Sequence, residues 1–299
     1  MNTKSSLIAL LVAAGTLSFG TSTALAATSV NFFNSSEIGT WTTSNQFQYY
    51  GNSASETIDL GGFDPTLGPT TKSYTITPKA TYDMVQIVND QSSLTTDVIG
   101  ASQAEQKFGL SSGSLSNITW SVGGLGSVYN TVPTDYGYMT KEVNFSAGTY
   151  QFSWAYGAQD YQPFNDGAIF SLTGNGVQQL KYLAINGVYN GTSYPLPTGS
   201  AFSDTIVLGS YGFANWRTTT FTVDTSGTYR FSLATFNAGD TILSSRLFVS
   251  GLTGTITGAD VASISVGGGA IPEPSTYGLI GIGALGVAFA ARRRKQKAV

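Results

Sequence analysis

The 299-residue chain contains no cysteine and no histidine. Without cysteine there is no disulfide, no thiolate metal ligand and no N-terminal thiol for lipid attachment. Without histidine the usual general base of serine and cysteine hydrolases is missing. Zinc, copper and iron sites built on imidazole are excluded with it. Charge is scarce as well, with Asp, Glu, Lys and Arg making up 10% of the residues. Hard-oxygen metal binding and carboxylate-pair catalysis are the chemistries left. Long apolar runs are also lacking: the C-terminal one holds 15 residues, 277–291, where a bilayer-spanning helix needs about 20.

What is present speaks most clearly at the two ends. Lys4 precedes an apolar stretch over 7–17, and Ala24 and Ala26 put small residues at −3 and −1 of a cleavage point before Ala27. Residues 1–26 therefore read as a secretory signal peptide, routing the chain through the Sec translocon. At the other end Ile271-Pro272-Glu273-Pro274 leads into the apolar run, and five cations from Arg292 to Lys297 follow it. As a helix the run reaches about 22 Å, short of the roughly 30 Å bilayer core. Glycines 278, 281, 283 and 286 weaken it further. The cations stay cytoplasmic, so the segment is suited to transient insertion in the inner membrane.

This tail resembles the PEP-CTERM sorting signal on Pro272, Glu273, Pro274, the membrane run 277–291 and Arg292, Arg293 and Arg294. The resemblance covers about a tenth of the chain, residues 272–299. It implies recognition by an exosortase-type transpeptidase in a Gram-negative bacterium, loss of the tail, and delivery to the cell surface or extracellular matrix. An ordinary single-pass anchor is the alternative. A sortase signal is absent, since Leu196-Pro197-Thr198-Gly199 lacks the spacer residue and lies mid-chain.

Between the ends, residues 27–265 are expected to form one all-β domain, a jelly-roll-like β-sandwich, with 266–271 as a flexible Gly-rich tether. Eight Lys and Arg face sixteen Asp and Glu from Ala27 to Ile271, a net of −8. Such a surface repels nucleic acid and attracts divalent cations. Short alternating runs broken by Gly, Asn or Pro mark strands at 29–33, 47–50, 57–60, 143–154, 168–172, 205–208, 219–223, 228–233 and 246–249. In 143–156, Val143, Phe145, Tyr150, Phe152, Trp154 and Tyr156 share one face, while Gln151, Ser153 and Ala155 take the other. Residues 97–108 read as a single short helix, with Thr96 or Asp97 as cap and Gly109 as stop. Gly148-Thr149-Tyr150-Gln151-Phe152-Ser153 is echoed by Gly227-Thr228-Tyr229-Arg230-Phe231-Ser232, pointing to two analogous strands of one sandwich.

The order of these pieces, from Phe108-Gly109-Leu110 through Asp160, Asn165 and Asp166 to Asn237 and Asp240, is similar to galactose-binding-like jelly-roll domains over about 95–252. That resemblance implies a β-sandwich, often calcium-stabilised, in a group with carbohydrate-binding relatives. The chain departs from it in having Ser250 after the last strand.

Two loops are candidate sites. Asp160, Asn165 and Asp166, with Asp240, offer the carboxylate and amide oxygens that structural Ca²⁺ takes; Asn165-Asp166-Gly167 equally suits a plain tight turn. The loop Tyr211 to Arg217 places Trp216 beside Asn215 and Arg217, an aromatic face with polar donors for a sugar ring. Trp41, Trp120 and Trp154, with Tyr189, Tyr194 and Tyr211 at the surface, are further stacking candidates, although Trp154 shares a core face. A glycosidase needs two carboxylates at a set separation; Glu105 and Glu142 are candidates, but no motif pairs them. The sequence thus favours a non-enzymatic exported surface or exopolysaccharide-matrix protein. A carbohydrate-binding module with a defined glycan and a secreted carboxylate-dependent glycan-active enzyme are the alternatives.

Overall fold

The computed structural model describes residues 29–30, 33–44, 47–64, 68–79, 82–89, 99–115, 118–121, 128–131, 133–160, 164–186, 188–189, 192–193, 200–239 and 243–254. The segments read as a signal peptide and a tether, the sorting tail and Asp240 lie outside them.

In chain order the strands begin with β1 Ser29–Val30, β2 Thr42–Thr43, β3 Phe47–Tyr50, β4 Glu56–Asp64, β5 Gly68–Ile76 and β6 Met84–Val88. Next come β7 Ile118–Ser121, β8 Val128–Thr131, β9 Pro133–Phe145, β10 Gly148–Gly157, β11 Gly167–Gly174 and β12 Val177–Asn186. The last are β13 Val188–Tyr189, β14 Thr192–Ser193, β15 Ile206–Leu208, β16 Phe213–Val223, β17 Gly227–Ala238 and β18 Arg246–Thr253. Among the described residues two α-helices, α1 Ser35–Ile38 and α2 Ala101–Phe108, interrupt them.

Two six-stranded sheets face each other. The first runs β16-β10-β18-β6-β3, with β1 added beside the end of β18; the second runs β15-β12-β11-β17-β9-β2. The sandwich and the alternation expected for 143–156 are both present. Val143 and Phe145 on β9 and Tyr150, Phe152, Trp154 and Tyr156 on β10 all enter the core between the sheets. Burying such aromatic side chains supplies the largest favourable term per residue.

The echoed hexapeptides open β10 and β17, one in each sheet. Each tyrosine turns back on its own hairpin: the Tyr150 hydroxyl donates to the Ser146 carbonyl at 2.7 Å, and the Tyr229 hydroxyl to the Thr225 carbonyl at 2.6 Å. Both rings pack on Phe145. The repeat is thus a corner device, tying a buried tyrosine ring to a turn carbonyl in each layer.

Outer layers cover both sheets. On the second sheet α2 lays Ala104 and Phe108 against Tyr136, Tyr138 and Phe236. It starts later than the sequence suggests, with Gly100 as N-cap and no side-chain cap; Thr96 and Asp97 lie outside the described residues. Gly109 ends it as expected, at φ +70°, where a side chain would be strained. On the first sheet the β4–β5 hairpin places Ile58, Leu60 and Ile76 over Met84, Ala155 and Phe248. Ala155 therefore points away from the central core, as its alternation requires, yet is buried.

The one-turn α1 adds to the single short helix that the sequence predicts. Asn34 caps it by accepting from the Ser36 and Glu37 amides at 3.0 and 2.9 Å. This brings Glu37 within 2.8 Å of Lys141 Nζ on β9, with both side chains buried. At the opposite edge, Gln179 and Lys181 of β12 donate to the Thr222 and Thr220 carbonyls of β16 at 2.6 and 3.0 Å. That edge strand is closed to further pairing along these positions.

Candidate functional site

The ends of β6, β10 and β17 and the starts of β9, β11 and β18 meet at one pole of the sandwich. Polar side chains there are buried rather than solvated. Asp160 and Asp166 are both 0% exposed, as are Asn89, Asn186 and Asn237. Burial on this scale requires partners.

Asp166 has them. Its carboxylate accepts from the Ala238 amide at 3.1 Å and the Ser245 hydroxyl at 2.7 Å, while its carbonyl accepts from the Asn186 amide at 2.7 Å. It thereby pins the start of β11 to β17 and to the approach of β18. The tight turn considered for Asn165-Asp166-Gly167 does not form. Gly167 opens β11 instead, and a Cβ there would meet the Ala184 carbonyl at 2.6 Å. The glycine serves a close strand approach, not a reversal.

The two candidate loops are brought together at Asp160. Its carbonyl accepts from Asn186 Nδ2 at 2.8 Å and from the Tyr211 amide at 3.1 Å. Tyr211, expected at the surface, is fully buried at φ +53°, a strained setting for a bulky residue. Trp216 points elsewhere: its indole N–H donates to the Thr77 carbonyl at 2.8 Å, and its ring packs with the hairpin-covered cluster. Asn215 and Arg217 are exposed. Trp216 therefore anchors the β4–β5 hairpin, and the four residues of that loop do not converge.

Asn186 is the residue the sequence concealed. Asn186-Gly187 reads as loop punctuation, but Asn186 closes β12, and its Oδ1 is buried with no hydrogen-bond donor among the described residues. Hard donors from Asp160, Asn165 and Asn186 suit Ca²⁺ by chemistry. Asp166 is held by protein donors. Among the described residues no group of three or more His, Cys, Asp or Glu is gathered, so any cation would rest largely on amide and carbonyl oxygens. Burial, reinforced by the Asp166 charge, pushes the neighbouring Tyr156 hydroxyl well above the ordinary phenol range, so it adds no charge there.

A second polar latch adjoins the first. Asn89 Nδ2 donates to Asn237 Oδ1 at 2.7 Å, and Asn237 Nδ2 donates to Asp135 Oδ2 at 3.1 Å. This joins β6 of one sheet to β9 and β17 of the other.

The glutamates considered for catalysis lie apart in role. Glu105 is buried and accepts from the Gly113 and Leu115 amides at 3.0 and 2.7 Å. Glu142 sits on β9 and pairs with Arg230 at 3.0 Å. Trp154 is core, donating to Thr219 Oγ1 at 2.8 Å, and Trp41 is buried. Tyr194 and the side chains of Trp120 and Tyr189 lie outside the described residues, as does Asp240.

The comparisons with known proteins bear on the tail. A family model described as the PEP-CTERM protein-sorting motif matches residues 270–295. The chain carries an exosortase sorting tail. Its PEP-CTERM motif makes this an exported, cell-surface-directed protein and implies processing by an exosortase. No curated protein matches the chain. Among solved structures it is similar to the K3 cleaved adhesin domain of Lys-gingipain from Porphyromonas gingivalis w83, at 13% identity and a TM-score of 0.24. That match covers 69% of this chain and 98% of the other, and at such a score it carries no argument about this one.

Proposed function

We propose that the sandwich is a non-enzymatic component of the surface or exopolysaccharide matrix of a Gram-negative bacterium. It passes the Sec translocon, is held briefly in the inner membrane by residues 277–291, and is then clipped and released outward. The sorting motif at 270–295 carries this reading. Strand geometry supports it, because β1 pairs antiparallel with the end of β18, Ser29 opposite Thr253. The chain segments bearing both membrane-directed ends thus leave from one pole. The acidic pole lies at the other end of β18, about 26 Å away at 3.3 Å per residue. A domain held by its tail would present the loops of that pole outward.

Fractionation of native cells tests this role. The mature protein is expected with the polysaccharide layer and to be released by enzymatic digestion of that layer. Recovery as free protein in the culture medium, with none on cells or matrix, would contradict it.

Structural Ca²⁺ at Asp160, Asn165 and Asn186 belongs to the same proposal, supported by the buried, donorless Asn186 Oδ1. A cation at 100 times its dissociation constant stabilises by about 2.7 kcal/mol, and a domain of this size changes by about 2–4 °C per kcal/mol. EDTA should therefore lower Tm by about 5–10 °C, with recovery on adding CaCl₂. An unchanged melting curve counts against the ion.

A further inference from the structure

Away from the acidic pole, a groove of about 470 Å³ runs between the C-terminus of α2, the β11–β12 turn and the start of β17. Its polar groups are fixed in advance. Arg230 Nη1 donates to the Lys107 carbonyl at 3.1 Å, and Nη2 donates to Glu142 Oε1 at 3.0 Å, the two residues standing opposite each other across β17 and β9. On the facing wall Gln178 Oε1 accepts from the Ser111 amide and hydroxyl at 2.8 and 2.9 Å. Gly174 and Gly176 line the floor without side chains. Holding donors and acceptors in place before binding lowers the entropy lost on binding.

The composition selects the ligand class. Glu142 repels anions and Arg230 repels cations, so a charged ligand gains from one and loses to the other. The lining is mostly polar, which disfavours an apolar ligand. Tyr229 is 1% exposed and offers no ring for stacking. An exposed carboxylate beside a guanidinium matches adjacent hydroxyls, one donating to Glu142 and the other accepting from Arg230.

We infer that this groove is a binding subsite for a neutral glycan, gripping a vicinal diol through Arg230 and Glu142 with Gln178 lining the opposite side. It goes beyond the matrix role above, because it names a contact surface that the role itself does not require.

Saturation-transfer NMR on the full chain in detergent tests it, with D-galactose, D-glucose and D-mannose as probes and cyclohexanol as the control lacking a diol. At least one sugar should show transfer to its ring protons while cyclohexanol shows none. Glu142→Gln, at a 63% exposed side chain, should fold normally yet weaken binding about tenfold or more, the scale of losing a hydrogen bond to a charged group. Thr220→Ala on the other sheet should leave binding unchanged. No transfer from any of the three sugars, or equal transfer with Glu142→Gln, overturns the inference. Either failure leaves the matrix role standing, since fractionation judges that separately.

Discussion

Replacing Lys141 with methionine is expected to cost about 3–5 kcal/mol of stability, the usual effect of removing one member of a buried ion pair. Lys141 Nζ lies 2.8 Å from Glu37 with both side chains under a tenth exposed. At about 2–4 °C per kcal/mol, Tm should fall by about 6–20 °C. The double variant Glu37→Leu with Lys141→Met should recover most of that loss. Apolar residues of similar volume commonly replace a buried pair at little cost, and the surrounding core of Phe33, Trp41 and Phe231 is apolar. Thermal melts of wild type, both single variants and the double form one thermodynamic cycle. Losses that simply add would show that the two charges do not sense each other.

The second large effect is expected at the tail. Changing Arg292, Arg293 and Arg294 together to Glu should leave most of the protein unprocessed and inside the cell envelope. Basic residues, not acidic ones, hold a segment end on the cytoplasmic side, and only Lys295 and Lys297 would remain. The sandwich should be untouched, because β18 ends at Thr253, well before the tail. Immunoblots of cell fractions distinguish a sorting defect from a folding defect. Normal delivery of the triple variant would show that the charge cluster is dispensable.

Much of the central core was legible because strand alternation is a short-range signal. Tyr150, Phe152, Trp154 and Tyr156 fall on one face from sequence alone, and the structure puts all four inside. Gly109 was legible for the same local reason, as a helix stop needing positive φ. Features set by distant partners were not. Tyr211 looks like a surface loop aromatic until the β4–β5 hairpin closes over its cluster. Trp216 looks like a ligand platform until its N–H meets Thr77, 139 residues earlier in the chain. Asn186 reads as turn chemistry, and its burial follows from packing against Asp160 and Asp166. The groove at Arg230 was invisible for a related reason. Within the echoed hexapeptide Arg230 takes the place of Gln151, and only cross-strand register puts Glu142 opposite it.

Removal of the C-terminal tail after export is tested most directly by intact-mass spectrometry of protein recovered from the outside of native cells. The expected species starts at Ala27 and ends near Pro274. Surface protein that still carries residues 277–299 would contradict it.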